Sequence, residues 1–172
     1  MPDLVVRIKK KTDGSAALSC IRADGTTTWQ RQEGQLGRFF PLHDLTHLAV
    51  ESVLGFRRAF FGLVAEGWDI SDFGKPDRKV DMTDDAGIAE LIVGLFDLER
   101  RTGERAGADE LNERLVSYYV DHRLPVPAFR LSDPDVERIR ETRAELFSRW
   151  HALPAGEALV LPFDRQPARS NT

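Results

Sequence analysis

The chain has 172 residues, of which 41% are hydrophobic and 30% charged, and its formal net charge at pH 7 is −4. This composition is that of an ordinary globular domain and argues against global disorder. The acidic balance disfavours a protein that tracks the phosphate backbone of a nucleic acid. The single cysteine, Cys20, excludes an internal disulfide and a zinc site built from several cysteines.

The beginning of the chain has the pattern of a small antiparallel sheet. Residues 4–11 alternate apolar and polar side chains, and residues 16–23 and 26–32 form two further segments of similar length. An Asp-Gly pair separates each segment from the next, and this pair is a strong signal for a tight hairpin turn. Residues 1–34 therefore predict a three-stranded β-meander. Residues 157–163 predict a fourth short strand that would extend its edge.

The middle of the chain, residues 41–153, predicts a cluster of five helices. Gly55 is suited to end the first of them, and Thr83 and Ser132 are suited to cap the starts of the third and fifth. Residues 68–81 contain glycine, proline and several aspartates, which predicts a long loop. The predicted helices cover residues 42–54, 56–66, 84–102, 109–122 and the stretch between Ser132 and Pro154.

Strands followed by a run of helices predict an α+β fold. We expect residues 1–163 to form one domain and the polar residues 164–172 to be a flexible tail. No signal peptide is recognisable, and no apolar stretch is long enough to span a bilayer. We therefore expect a cytoplasmic protein that binds neither membranes nor nucleic acids.

The strongest functional signal lies between Phe39 and Gly55, in the stretch FFPLHDLTHLAVESVLG. Residues i and i+4 of a helix lie on the same face, so His43 and His47 can direct both imidazoles at one metal ion. The same spacing underlies the H-E-x-x-H motif of zinc enzymes. Asp44 takes the place of the catalytic glutamate in that motif, so it is the candidate general base, or else a partner for an imidazole N–H.

A metal ion that is open to a substrate requires a third protein ligand. Glu51 lies one turn beyond His47, but eight residues separate it from His43, which is about 12 Å along a helix axis. One ion can hardly bind all three side chains, so we expect the third ligand to come from another element. Glu66 and His122 are the best candidates, ahead of Asp69, Asp121 and His151.

Over these few residues the motif resembles that of the zinc-containing proteins of ubiquinone biosynthesis. Those proteins carry H-D-x-x-H followed by a glutamate twelve positions after the second histidine. This chain has Ala59 at the corresponding position. The resemblance therefore implies zinc for the histidine pair without supplying a third ligand.

Two interpretations of the histidine pair follow. In the first, the histidines hold a divalent metal, with zinc as the first candidate, and the metal assists hydrolysis or a related acid–base step on a small-molecule substrate. In the second, the histidines are packed structural residues. The first two helices would then present an aromatic-rich surface to a partner or, in a homodimer, to a second copy of the chain. No phosphate-binding loop or nucleophile elbow occurs in the sequence.

Overall fold

A computed structural model describes residues 1–165 and confirms the predicted α+β arrangement. In this part of the chain, one four-stranded antiparallel sheet accompanies five α-helices. The strands lie in the spatial order β3-β2-β1-β4. They are β1 (Leu4–Lys10), β2 (Ala16–Arg22), β3 (Thr27–Gln32) and β4 (Ala158–Phe163).

The two Asp-Gly turns form the hairpins that the sequence predicts. Gly14 and Gly25 have φ values of 82° and 84°, in the left-handed region where a side chain would be strained. The aspartate before each glycine accepts hydrogen bonds from the backbone N–H and the hydroxyl of the residue after it, Ser15 or Thr26. These bonds are 2.5 to 2.9 Å long. Local turn chemistry thus sets the pairing of β1, β2 and β3.

The fourth strand closes the sheet on its other edge, as the sequence predicts. β4 pairs with β1, so that Leu4 lies opposite Phe163. Asp3 continues this pairing: its N–H donates to Asp164, and its carboxylate accepts the N–H of Arg165 at 2.9 Å. The remainder of the predicted tail, residues 166–172, lies outside the described residues.

The helices are α1 (Phe40–Leu54), α2 (Phe60–Ala65), α3 (Asp85–Thr102), α4 (Ala108–Asp121) and α5 (Asp133–Ala152). Pro41 lies in the first turn of α1, where its missing N–H leaves no hydrogen bond unmade. Gly55 ends α1 with a φ of 67°, and the Ser132 hydroxyl accepts the Asp135 N–H at the start of α5. The first and last helices therefore begin and end on the predicted signals.

The start of α2 and the cap of α3 differ from the prediction. Residues 56–59 are not helical, because Asp85 accepts their backbone N–H groups at Arg57 (3.0 Å) and Arg58 (3.2 Å) and holds them against the start of α3. Thr83 does not cap α3: its hydroxyl donates to Asp81, and the next residue along the chain takes the cap position. Both differences come from hydrogen bonds that compete with the predicted helix ends.

The segment predicted as a long loop also contains a short helix. Ile70–Gly74 form a 3₁₀ helix, which Asp69 and Asp72 close with reciprocal hydrogen bonds between side chain and backbone. Ile70 is buried, and its N–H donates to Thr28 of β3 at 3.0 Å. This contact fixes the segment to the sheet.

α1 lies between two hydrophobic clusters. One joins the inner face of the sheet to α1, α2 and α5, and the other joins α1 to α3, α4 and α5. Leu45 and Ala49 belong to the first cluster, and Val50 and Leu54 to the second. α1 is therefore buried on nearly all sides, as its sequence indicates. None of the described helices is both long and apolar enough to cross a membrane.

Two glycines of α3 should respond in opposite ways to alanine. A Cβ at Gly87 would lie 2.1 Å from the Met82 Cα, whereas a Cβ at Gly94 would meet nothing within 4 Å. We expect Gly87→Ala to lower the free energy of unfolding by about 1–3 kcal/mol, because the backbone at Met82 must move. Gly94→Ala should raise it by up to about 1 kcal/mol through helix propensity. Urea denaturation of both variants measures the difference, and equal effects would contradict the close approach at Gly87.

Candidate metal centre

α1 brings His43 and His47 together on one face. Their ring centroids are 4.8 Å apart, and the rings meet edge to face. His47 is 3% exposed, and the side chain of His43 is 18% exposed. The predicted pair is therefore a real juxtaposition, with one imidazole deeply buried and the other partly open.

A carboxylate from α3 completes a group of three possible ligands. Glu90 Oε2 lies 3.1 Å from His47 Nε2, and one ligand atom from each of His43, His47 and Glu90 lies within 4.8 Å of the others. Ligand atoms of a tetrahedral zinc ion are about 3.4 Å apart at bond lengths of 2.0–2.2 Å. A separation of up to 4.8 Å is wider than this, so the three side chains would have to move closer together to hold an ion. The Glu90 side chain is 56% exposed and has room to change its rotamer.

A second carboxylate of α3 contacts the Nδ1 nitrogen of His43. Asp97 is buried, and its Oδ2 lies 2.7 Å from His43 Nδ1. A carboxylate on one ring nitrogen fixes the tautomer and orientation of a metal-binding imidazole. Because Nδ1 is engaged in this way, Nε2 is the nitrogen that His43 can offer to an ion.

His47 has a similar but looser arrangement. Its Nδ1 faces Glu51 Oε1 at 3.4 Å, with geometry too poor for a hydrogen bond within the described residues. Glu51 is 1% exposed and accepts the backbone N–H groups of Phe61 (3.0 Å) and Gly62 (3.3 Å). It thus caps the start of α2, because Ala59 at the N-cap position has no side-chain oxygen to do so.

Carboxylates and burial together shape the electrostatics of the pair. Burial lowers the pKa of His47, but the neighbouring carboxylates of Glu51 and Glu90 outweigh it and raise that pKa to about 10. Burial also raises the pKa of Glu51. Several carboxylates therefore surround the two imidazoles. Their negative charge favours a positive charge on or beside the imidazole rings.

Asp44 lies beside the histidines in the wall of the same cavity. Its side chain is buried, and Gln32 Nε2 donates a short hydrogen bond to its Oδ2. Burial raises the pKa of Asp44 to about 6, although the bond from Gln32 acts in the opposite direction. The cavity has a volume of about 320 Å³, and its lining includes His43, Asp44, His47 and Glu90. The structure thus brings the predicted base and the predicted histidine ligands together.

The two predicted third ligands lie elsewhere. Glu66 follows α2 and pairs with Arg58 (3.1 Å) and Arg165 (3.3 Å). His122 follows α4, is exposed, and stacks on Tyr118 with ring centroids 4.0 Å apart. The structure brings neither side chain to the histidine pair.

The sequence around Glu90 and Asp97 contains a signal for their position. They are the only charged side chains between residues 86 and 98, a stretch that is otherwise apolar. Seven residues, or two helical turns, separate them, so they lie on the same face of α3. Two acids on one face of an apolar helix predict buried partners of opposite charge.

The aromatic side chains of the first two helices differ in their exposure. Phe61 of α2 is buried, and Phe60 packs against Phe73 with ring centroids 4.6 Å apart. Among the described residues, Trp29 is the bulkiest exposed apolar side chain, and it lies on β3. Pairing of the chain with a second copy stays a prediction.

Comparisons of the chain with protein-family models, with curated proteins and with solved structures find no significant match. Side-chain geometry and charge are accordingly the observations from which we infer a function.

Glu51→Ala tests whether this carboxylate holds α2 in place. We expect the free energy of unfolding to fall by at least about 2 kcal/mol, because two buried N–H groups lose their acceptor. Urea denaturation in the presence of a chelator measures the loss without any contribution from bound metal. Glu113→Ala, at an exposed position of α4, is the control and should change stability by less than about 0.5 kcal/mol. Equal effects in the two variants would contradict the capping role.

Proposed function

We propose that the chain binds one divalent metal ion, with zinc as the first candidate, through His43, His47 and Glu90. The observation that supports this most strongly is the convergence of two imidazoles and one carboxylate from α1 and α3, with ligand atoms within 4.8 Å of one another. Two histidines and one glutamate form a known ligand set of catalytic zinc sites, in which water takes the fourth position.

The two carboxylates that face His47 can be satisfied in two ways. A neutral imidazole carries one N–H, so it can donate to only one of the two carboxylates that face its nitrogens, Glu51 and Glu90. A metal ion on Nε2 would attract Glu90 and leave the N–H of Nδ1 for Glu51. A doubly protonated imidazole is the arrangement that the second interpretation requires, and metal analysis distinguishes the two.

We infer that such a centre would serve hydrolysis or a related acid–base step on a small molecule. A bound divalent ion would supply Lewis acidity and make a water molecule more acidic. Asp44 lies in the same cavity wall, and the hydrogen bond from Gln32 holds its carboxylate in place. Asp44 would accept the proton of the attacking water and return it to the leaving group, as the general base of H-E-x-x-H sites does.

The metal proposal predicts one zinc ion per chain by elemental analysis of the protein after zinc loading and dialysis. Glu90→Gln should weaken zinc binding at least about tenfold, or about 1.4 kcal/mol, in calorimetric titrations. Zinc at one hundred times its dissociation constant should stabilise the fold by about 2.7 kcal/mol, and a chelator should abolish this gain.

Glu113→Gln is the matched control for these titrations, because it makes the same chemical change at an exposed position of α4. It should leave zinc affinity unchanged. The metal proposal would be contradicted if the wild-type protein held no stoichiometric zinc and a chelator had no effect on its unfolding. This outcome would favour structural histidines.

Asp44→Asn tests the proposed base. The amide can still accept the hydrogen bond from Gln32, but it cannot take up a proton at neutral pH. With neutral aryl esters as trial substrates, we expect hydrolysis by the zinc-loaded protein to fall about 10²–10⁴-fold while zinc stays bound. Asp121→Asn, at an exposed position of α4, should keep the wild-type rate. An unchanged rate for Asp44→Asn would remove Asp44 from the mechanism.

A further inference from the structure

The cavity in front of the histidine pair has a largely apolar wall. Phe40 comes from the start of α1, Phe60 from α2 and Phe73 from the 3₁₀ helix, while Val80 and Met82 come from the segment before α3. All five side chains are only partly buried. When a ligand covers apolar groups that were in contact with water, the removal of this surface from water contributes favourably to the free energy of binding. The volume, about 320 Å³, is at the lower end of the range of small-molecule sites, roughly 300–1,000 Å³.

The polar part of the lining has no permanently cationic side chain. Among the described residues, it contains no lysine or arginine. Its ionisable members are the two histidines, Asp44 and Glu90. Sites that bind phosphate or carboxylate groups usually offer arginine, lysine or backbone N–H groups at a helix N-terminus. Two carboxylates in the wall would instead repel an anion.

Four basic side chains of the neighbouring segments do not line the cavity. Lys75 and Arg78 pair with Asp72 at 2.5 and 3.2 Å. Arg100 lies 3.6 Å from Asp97 Oδ1, and Lys79 lines a separate cavity. None of these four is among the residues that line the cavity in front of the histidines.

We propose that this cavity accepts a neutral substrate with an aromatic or similarly bulky apolar group, and that it discriminates against phosphorylated and other anionic molecules. This inference rests on the proposed metal site and adds the class of substrate to it. The metal would bind the polar group that reacts, and the wall formed by Phe40, Phe60, Phe73, Val80 and Met82 would hold the apolar group.

Three small metal-binding probes test the two parts of this proposal on zinc-loaded protein. Benzohydroxamic acid has a ring and is neutral in solution near pH 7, acetohydroxamic acid lacks the ring, and phenylphosphonic acid keeps the ring but is anionic in solution. By calorimetry we expect benzohydroxamic acid to bind at least about tenfold more tightly than either of the other two. Equal binding of the two hydroxamic acids would overturn the apolar part. Phenylphosphonic acid binding as tightly as benzohydroxamic acid would overturn the discrimination against anions.

Phe40→Ala locates the ring-binding wall. It should bring the affinity for benzohydroxamic acid close to that for acetohydroxamic acid without changing zinc affinity. Trp29→Ala removes an exposed aromatic side chain on β3 and is the control that should change neither. If Phe40→Ala binds benzohydroxamic acid as the wild type does, the ring does not lie against this wall.

Val80→Lys tests the role of charge by adding it. Val80 lines the cavity and is only partly buried, so a lysine there can place its ammonium group at the cavity edge. Binding of phenylphosphonic acid should strengthen by about tenfold, while binding of acetohydroxamic acid should stay the same. No gain for phenylphosphonic acid would show that missing positive charge is not what excludes anions.

Zinc content, measured before each titration, separates the two proposals. A protein that holds no zinc overturns the metal site and the substrate class with it. A protein that holds one zinc ion but ranks the probes in another order overturns only the substrate class.

Discussion

Four ionisable side chains on one buried helix impose the main constraint on this structure. His43, Asp44, His47 and Glu51 lie within nine positions of α1, and a buried polar group without a partner costs free energy. Their partners come from three other elements: Gln32 of β3, the start of α2, and Glu90 and Asp97 of α3. The contacts that make α1 tolerable as a core helix are thus the contacts that build the candidate metal centre.

The spacing of these side chains along the helix determines which partner each of them contacts. Glu51 is two turns from His43, so it cannot readily share an ion with both histidines, and the structure shows it bound to the N–H groups at the start of α2 instead. Glu90 reaches the pair from a neighbouring helix and remains half-exposed. Glu51 and Asp97 therefore hold the start of α2 and the ring of His43, while the half-exposed Glu90 has room to move with a ligand.

Local signals in the sequence predict the elements well, and contacts between distant elements limit the rest. Asp-Gly turns, the glycine at the end of α1 and the i,i+4 spacing of the histidines act within a few residues, and all of them hold in the structure. The identity of the third candidate ligand depends on which helix packs against α1. α2 packs on the sheet through Phe61 and Val64, and its end lies beside Arg165, so Glu66 is drawn to the sheet edge. The local sequence of α2 does not predict this position of Glu66.

The wall of the cavity depends on the core in the same way as the histidines do. Gly87 lies one turn before Glu90 on α3, and the absence of its Cβ allows the backbone of Met82 to pass close to the helix. Tyr119 of α4 then donates its hydroxyl to the Met82 carbonyl at 2.5 Å. The backbone at Met82 is therefore held by two helices beside the candidate ligand Glu90. A cavity wall held in this way is set before any ligand binds, so it can select a ligand by shape and polarity without reorganising the fold.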